Sequence, residues 1–265
     1  MNKMNFYKFQ ILIILILTTI SSVYAETKCI AHRGFHQNAP ENSIESIKAA
    51  EMIGADGIEL DIVHTKDGYP IIMHDKKLKR TATHAGTNIC NTDKKIKKLL
   101  LNEVLENCKL RDQSNIPTLR DALEILEQSN MLVFLELKDK PTLKTKKLIQ
   151  QYFSNSPERL RIISFKARFF DHLKKVSSNN MIFWNQVKFL KLKVFPWGLK
   201  KDYGYNICLA TYKKKRKLMS NMNQEVSVWT ANNSKDIKLL IKDDIDFITT
   251  DNTELCLELK NKNRS

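Results

Sequence analysis

The sequence predicts an α/β protein whose parallel strands close into a (β/α)8 barrel. Short apolar runs alternate with amphipathic stretches to the end of the chain, the rhythm of strands joined by crossover helices. The length suits one barrel: of 265 residues, the 240 that follow the first 25 approach the ~250 typical of this architecture. No second domain and no internal repeat breaks the pattern.

Residues 1–25 read as a secretory signal peptide. Lys3 and Lys8 make a basic start, Ile11 to Ile20 an apolar core, and Val23-Tyr24-Ala25 a small-residue cleavage site. The expected product is exported, periplasmic or secreted, with an uncleaved N-terminal anchor as the alternative. Residues 26–265 are then the barrel domain. Its expected strands are Lys28–Ala31, Gly57–Val63, Pro70–His74, Met131–Leu137, Leu160–Phe165, Met181–Trp184, Tyr205–Leu209, Val226–Thr230 and Asp246–Thr249. Between them "SIESIKAAEMIG", "IPTLRDALEILEQ", "PTLKTKKLIQQYF" and "NNSKDIKLLIKD" have helical spacing, with Ser43, Thr118 and Ser234 as available caps. The link between "IELDIV" and "YPIIMHD" holds only a Lys66-Asp67-Gly68 turn, so one regular βα unit is expected to be missing. A small insertion is expected after the third strand, around 78–116, because that stretch is long for a loop and contains the helix-like "KKLLLNEVLENC".

The net charge is +15, with basic clusters at "KKLKR", "KKIKK" and "KKKRK". These read either as solvated helix faces or as attractors for anionic substrates or an anionic membrane surface. No paired zinc ligands or aromatic-basic signature accompanies them, so nucleic acid is not an expected partner. Of the five cysteines, Cys90 and Cys108 bracket one segment and are the expected disulfide; the odd number leaves at least one thiol free.

The chemistry gathers at the C-terminal ends of the early strands. His32 follows "CIA", Glu59 and Asp61 stand in "ELD", His74 follows "PIIM", and Glu136 lies in "LVFLELK". Strand alternation puts Glu59 and Asp61 on one side, opposite Ile58, Leu60 and Ile62. In a barrel these strand ends meet at one rim, where active sites are built. Three carboxylates there need more compensation than Lys138 alone provides. A hard divalent cation with oxygen ligands, Ca2+ or Mg2+, answers that need. Two histidines at the same rim suit proton transfer near neutral pH.

The ordered set "AHRGFHQNAPENS", "GIELDIVHTKDGYPIIMHD", "IPTLRDAL", "FLELK", "VWTAN" and "FITTD" resembles the glycerophosphodiester phosphodiesterase family, from Ile30 to Asp251. The resemblance implies a TIM barrel of the phospholipase-C-like phosphodiesterase type. It also implies metal-dependent hydrolysis of glycerophosphodiesters to sn-glycerol 3-phosphate and an alcohol, in lipid and glycerol metabolism. Carried over motif by motif, it makes His32 and His74 the acid/base pair, Glu59, Asp61 and Glu136 the metal ligands, and Arg33 and Lys138 phosphate contacts. Trp229, near a strand end, reads as a substrate wall or as a packed core residue. Glu41 and Asn42 read as supports of the first loop. His36, His64, His84 and His172 have no assignment. The chain departs from the family pattern at Ser43, which replaces threonine, at Asn252, where proline is customary, and over residues 185–206, which match no motif. Two rival functions are weighed: a phospholipase D-like enzyme on intact or lysophospholipid, and a non-catalytic surface protein that binds a phosphodiester or metal.

Overall fold

The computed structural model describes residues 26–174, 188–192, 204–219 and 223–263. The signal-peptide stretch, the expected strand Met181–Trp184 and most of 185–206 lie outside them. The first half of the chain supplies β1 (Lys28–His32), α1 (Ile44–Met52), β2 (Gly57–His64) and β3 (Pro70–Ile72), then β4 (Ala82–His84), α2 (Leu101–Asn107) and β5 (Cys108–Leu110). It continues with α3 (Leu119–Glu127), β6 (Leu132–Leu137), α4 (Leu143–Phe153), β7 (Leu160–Ser164) and α5 (Ala167–Lys174). The second half supplies β8 (Lys188–Leu192), β9 (Gly204–Cys208), α6 (Leu209–Met219), β10 (Val226–Trp229), α7 (Ser234–Lys242), β11 (Phe247–Thr250) and α8 (Thr253–Lys262).

Eight parallel strands run in the order β1-β11-β10-β9-β8-β7-β6-β2, and β1 also pairs with β2, which closes the barrel. The alternation in "GIELDIV" is realised as read. Ile58, Leu60 and Ile62 pack outward with Leu119, Leu123 and Leu126 of α3, while Glu59 and Asp61 point inward and are buried. Inside, Ile30, Phe134, Ile163 and Phe247 fill the lumen below the acids, with Phe134 edge-on to Phe247 at 5.1 Å. Burial of that apolar set, at roughly 25 cal/mol per Å2, makes this part of the lumen a packed core.

The expectation of a missing βα unit is corrected by the sheet. β3 is not a barrel strand: it runs antiparallel to β2 as a short outer ribbon. Helix α3 completes the crossover from β2 to β6, capped by Thr118, whose side chain accepts from Asp121 N. The turn at Lys66-Asp67-Gly68 therefore interrupts one long connection instead of deleting a unit. Between β3 and α3, the antiparallel pair β4–β5 and α2 bury their own small core around Val63, Ile71, Leu78, Ile96, Val104 and Ile116, fastened by Cys90–Cys108. Ser43 caps α1 as expected, but α7 is capped by Asn233, one residue before Ser234.

A second disulfide, Cys29–Cys256, joins β1 to α8 across 227 residues of sequence. Cys208 is the free thiol. Among the described residues no helix is long and apolar enough to cross a membrane.

Candidate active site

The rim at the strands' C-terminal ends is built from the first loop outward. After β1 the chain turns sharply: Arg33 and Gly34 both have positive φ (56° and 81°), and a Cβ on Gly34 would collide with the Ser46 side chain. A non-glycine residue rarely accepts that conformation. Here it aims the Arg33 backbone N–H at Glu59 Oε2, 3.1 Å away. Asn42, also at positive φ (57°), clasps Asp61: its Nδ2 donates to Oδ2 at 2.9 Å, and its Oδ1 accepts from Asp61 N at 3.0 Å. The Pro-Glu-Asn loop therefore fixes an acid of the next strand.

Glu59, Asp61 and Glu136 are buried together, with one oxygen from each within 4.8 Å of the others. Lys138 Nζ bridges Glu136 at 3.0 Å and Asp61 at 3.3 Å, and Lys191 pairs with the other oxygen of Glu136. Arg33 Nε lies 3.5 Å from Asp61. Burial would push Asp61 up, but Lys138, His74, Arg33 and the Asn42 hydrogen bond outweigh it and hold the group ionised, below its ordinary value. Glu59 is the opposite case: burial first, then the Asp61 charge, push its pKa up. Its Oε1 is buried without a hydrogen-bond partner. Three inward oxygen donors, one of them orphaned, fit a hard divalent cation.

Each histidine is steered by its own aspartate. His32 Nδ1 lies 2.7 Å from Asp251 Oδ1, which leaves Nε2 facing the acids, 3.9 Å from Glu59. Asp251 is held in turn by Asn232 Nδ2 at 2.6 Å and by His36 Nε2 at 3.2 Å. Burial would raise the Asp251 carboxyl, but the hydrogen bonds from His32 and His36 hold it far below the carboxylate range. An ionised Asp251 makes Nδ1 of His32 the donor to it and frees the Nε2 lone pair for the site. His74 Nδ1 lies 2.6 Å from Asp75 Oδ1. Burial holds His74 below an ordinary imidazole, opposed by the Asp61 charge and the Asp75 hydrogen bond.

The residues singled out from sequence thus form one cluster. His32, Arg33, Glu59, Asp61, Glu136 and Lys138 touch in sequence-distant pairs, and His74 joins them through the field of Asp61. Trp229 is attached through Lys191, whose Nζ sits 4.3 Å from the indole centroid, while the indole N–H donates to Asn206 O at 3.2 Å. Several supports carried no assignment. Asp251 and Asp75 orient the histidines. Arg80, from the "KKLKR" cluster, forks onto Glu41 at 2.6 and 2.7 Å and reaches Asp75 at 2.7 Å, tying the first loop to the second histidine. The strand-end logic that found the other acids applies equally to Asp251 in "FITTD". Lys191 falls in the stretch without a motif. Of the unassigned histidines, His36 joins the rim, whereas His64 pairs with Asp139 and Thr145, and His84 accepts from Cys90 N.

The model of the glycerophosphoryl diester phosphodiesterase family matches residues 32–255. A glycerophosphodiester phosphodiesterase of Caldanaerobacter subterraneus subsp. tengcongensis is 30% identical over 247 residues, covering 89% of this chain and 99% of that protein. The crystal structure of a glycerophosphodiester phosphodiesterase from Parabacteroides distasonis superposes with a TM-score of 0.70 at 22% identity, over 91% of this chain and 99% of that one. An Oleispira antarctica phosphodiesterase, solved with its product sn-glycerol 3-phosphate, gives 0.72 at 22% identity, over 88% and 96%. These two share the barrel. With its rim motifs inside the matched span and a relative aligned along nearly its whole length, the chain belongs to the glycerophosphoryl diester phosphodiesterase family and to the phosphoric diester hydrolase class of enzymes.

Proposed function

We propose that this chain hydrolyses glycerophosphodiesters, such as glycerophosphocholine or glycerophosphoethanolamine, to sn-glycerol 3-phosphate and an alcohol in a metal-dependent reaction. The product bound in the Oleispira antarctica phosphodiesterase supports this choice of product. The observation that carries the reading is the pairing of two aspartate-steered histidines with three buried carboxylates, one with an orphaned oxygen. Glu59, Asp61 and Glu136 would hold a divalent ion, Ca2+ or Mg2+. Such an ion, when bound, supplies positive charge against the phosphoryl oxygens.

The chain's own residues divide the remaining work. His32 takes the nucleophile's proton at Nε2, and Asp251 stabilises the imidazolium that forms. His74 gives a proton to the departing alkoxide, with Asp75 fixing its ring. Arg33 and Lys138 carry cationic groups beside the acids and bind the phosphate. Trp229 walls one side. The test is a panel of glycerophosphodiesters with coupled detection of sn-glycerol 3-phosphate, with and without chelator. Turnover should vanish on chelation and return with Ca2+ or Mg2+; full activity in a metal-free preparation would overturn the metal assignment. A p-nitrophenolate leaving group needs little protonation, so His74→Ala should be partly rescued by it and His32→Ala should not. Rescue of His32→Ala alone would reverse the two roles.

The same proposal places the enzyme outside the cytoplasm. Two disulfides suit an oxidising compartment. Protein recovered there should begin at Glu26; retention of Met1 would point to an anchor. Turnover of lysophospholipid vesicles, with none of glycerophosphocholine, would favour the phospholipase D-like alternative.

A further inference from the structure

Beside the acids, Lys76, Lys95, Lys97, Lys138 and Lys166 converge on one cleft of about 230 Å3. They come from four places: just past His74, the inserted segment, the end of β6 and the end of β7. Lys138 belongs to both spaces, because its ammonium bridges Asp61 and Glu136 while its side chain lines the cleft. The single carboxylate in the lining, Asp139, is already taken by His64. Among the described residues Lys76, Lys95, Lys97 and Lys166 form no ion pair; Lys166 lies only over the Phe169 ring, 5.3 Å from its centroid. Like charges gathered without counter-charge repel one another, and a cleft focuses their field on whatever anion enters.

A second observation points the same way. Phe165 and Trp229 stand edge to face at the rim, 5.9 Å apart, a surface that a quaternary ammonium would ordinarily find attractive. Lys191 already faces both rings, at 5.4 and 4.3 Å. Its ammonium, paired with Glu136, already occupies the faces that a cationic head group would use.

We infer that the lysine cleft is an anion subsite for the alcohol part of the substrate, so that the enzyme prefers glycerophosphodiesters whose alcohol bears a further phosphate. This rests on the phosphodiesterase reading above and names its substrate class. With the scissile phosphate between Arg33 and Lys138, the second phosphate lies over Lys76, Lys95 and Lys97, and the inserted segment acts as a specificity element.

The experiment compares kcat/KM on three soluble probes: glycerophosphocholine, glycerophosphoglycerol, and bis(glycerophospho)glycerol, which adds a second phosphate to the same alcohol chemistry. At low salt the doubly phosphorylated probe should exceed glycerophosphoglycerol by roughly tenfold, as expected for two or three exposed ion pairs. Glycerophosphocholine should be the poorest, and rising ionic strength should shrink the whole spread. The double variant Lys95→Gln/Lys97→Gln should lose most of the preference while keeping its rate on glycerophosphoglycerol. Equal kcat/KM on the two glycerol probes, or a preference untouched by the double variant, overturns the subsite alone. No turnover of any probe overturns the phosphodiesterase reading and the subsite with it. A final arm measures co-sedimentation with phosphatidylglycerol vesicles. Loss of vesicle binding in the double variant without change on soluble probes would assign these lysines to a lipid surface and overturn the subsite.

Discussion

The two ends of the barrel treat their carboxylates in opposite ways. At the base, Asp56 accepts from Lys260 Nζ at 2.6 and 2.7 Å and from Cys29 N at 2.7 Å, and Arg161 forks onto both oxygens of Glu225 at 2.7 and 3.0 Å. Those carboxylates have their partners within the chain. At the mouth, Lys138, Lys191 and Arg33 all pair with Asp61 or Glu136, and Glu59 keeps an oxygen with no hydrogen-bond partner. The difference separates charge that supports the fold from charge reserved for a ligand. Complete pairing marks the first; an orphaned acceptor that the fold tolerates marks the second.

Mutations at the mouth should cost activity far more than stability. Either His32→Ala or His74→Ala should lower kcat by at least ~100-fold, with little change in Tm. Glu59→Gln should abolish metal-dependent turnover yet leave the apoprotein as stable or more so, since it removes a repelled buried charge. A large drop in Tm for Glu59→Gln would erase the contrast between the two ends. At the base the expectation inverts. Lys260→Ala strands Asp56 and should cost about 3 kcal/mol in denaturant unfolding, while kcat of the folded fraction stays unchanged.

Two smaller effects sharpen the comparison. Arg80→Gln loosens the clamp on Glu41 and Asp75, so kcat should fall by about tenfold with KM nearly constant, a loss typical of removing a residue that orients a working one. An equal effect on Tm would make Arg80 merely structural. The smallest is a pH effect on stability below the barrel. Burial would raise Asp243, but hydrogen bonds from Arg216 and Tyr212 outweigh it and hold its pKa below the ordinary carboxylate value. Its contribution is therefore fully present above the unfolded value of ~3.9 and lost as pH falls through the lower folded value. Asp243→Asn should lower stability at pH 7 and flatten the acid-side decline measured by urea midpoints; an unchanged slope would remove Asp243 from the account.

The barrel was legible because its signal is repetitive. Alternation in "GIELDIV" and helical spacing in "IPTLRDALEILEQ" each reflect one buried face, and both elements stand where that spacing puts them. The antiparallel ribbon β3 is not distinguishable in the sequence, because an apolar triplet reads alike in a barrel strand and an outer hairpin. The late strand β8 is hidden for a related reason: Lys191 on its inner face makes "KFLKL" resemble a surface segment. At the site, residues that end strands were readable by position. Arg80 and Asp75 were not, because their roles exist only once the inserted segment folds back over the first loop. Cys29–Cys256 was equally hidden, since no spacing rule reaches across 227 residues.

That second disulfide turns almost the entire barrel into a covalent ring. A protease cutting any one peptide bond between Cys29 and Cys256 leaves a single molecule, and the two pieces part only when a reductant is added. The enzyme would then survive a first cut as a nicked but tethered barrel, its seam between β1 and the last helix still shut. Its lifetime under proteolysis would be set by the second cut.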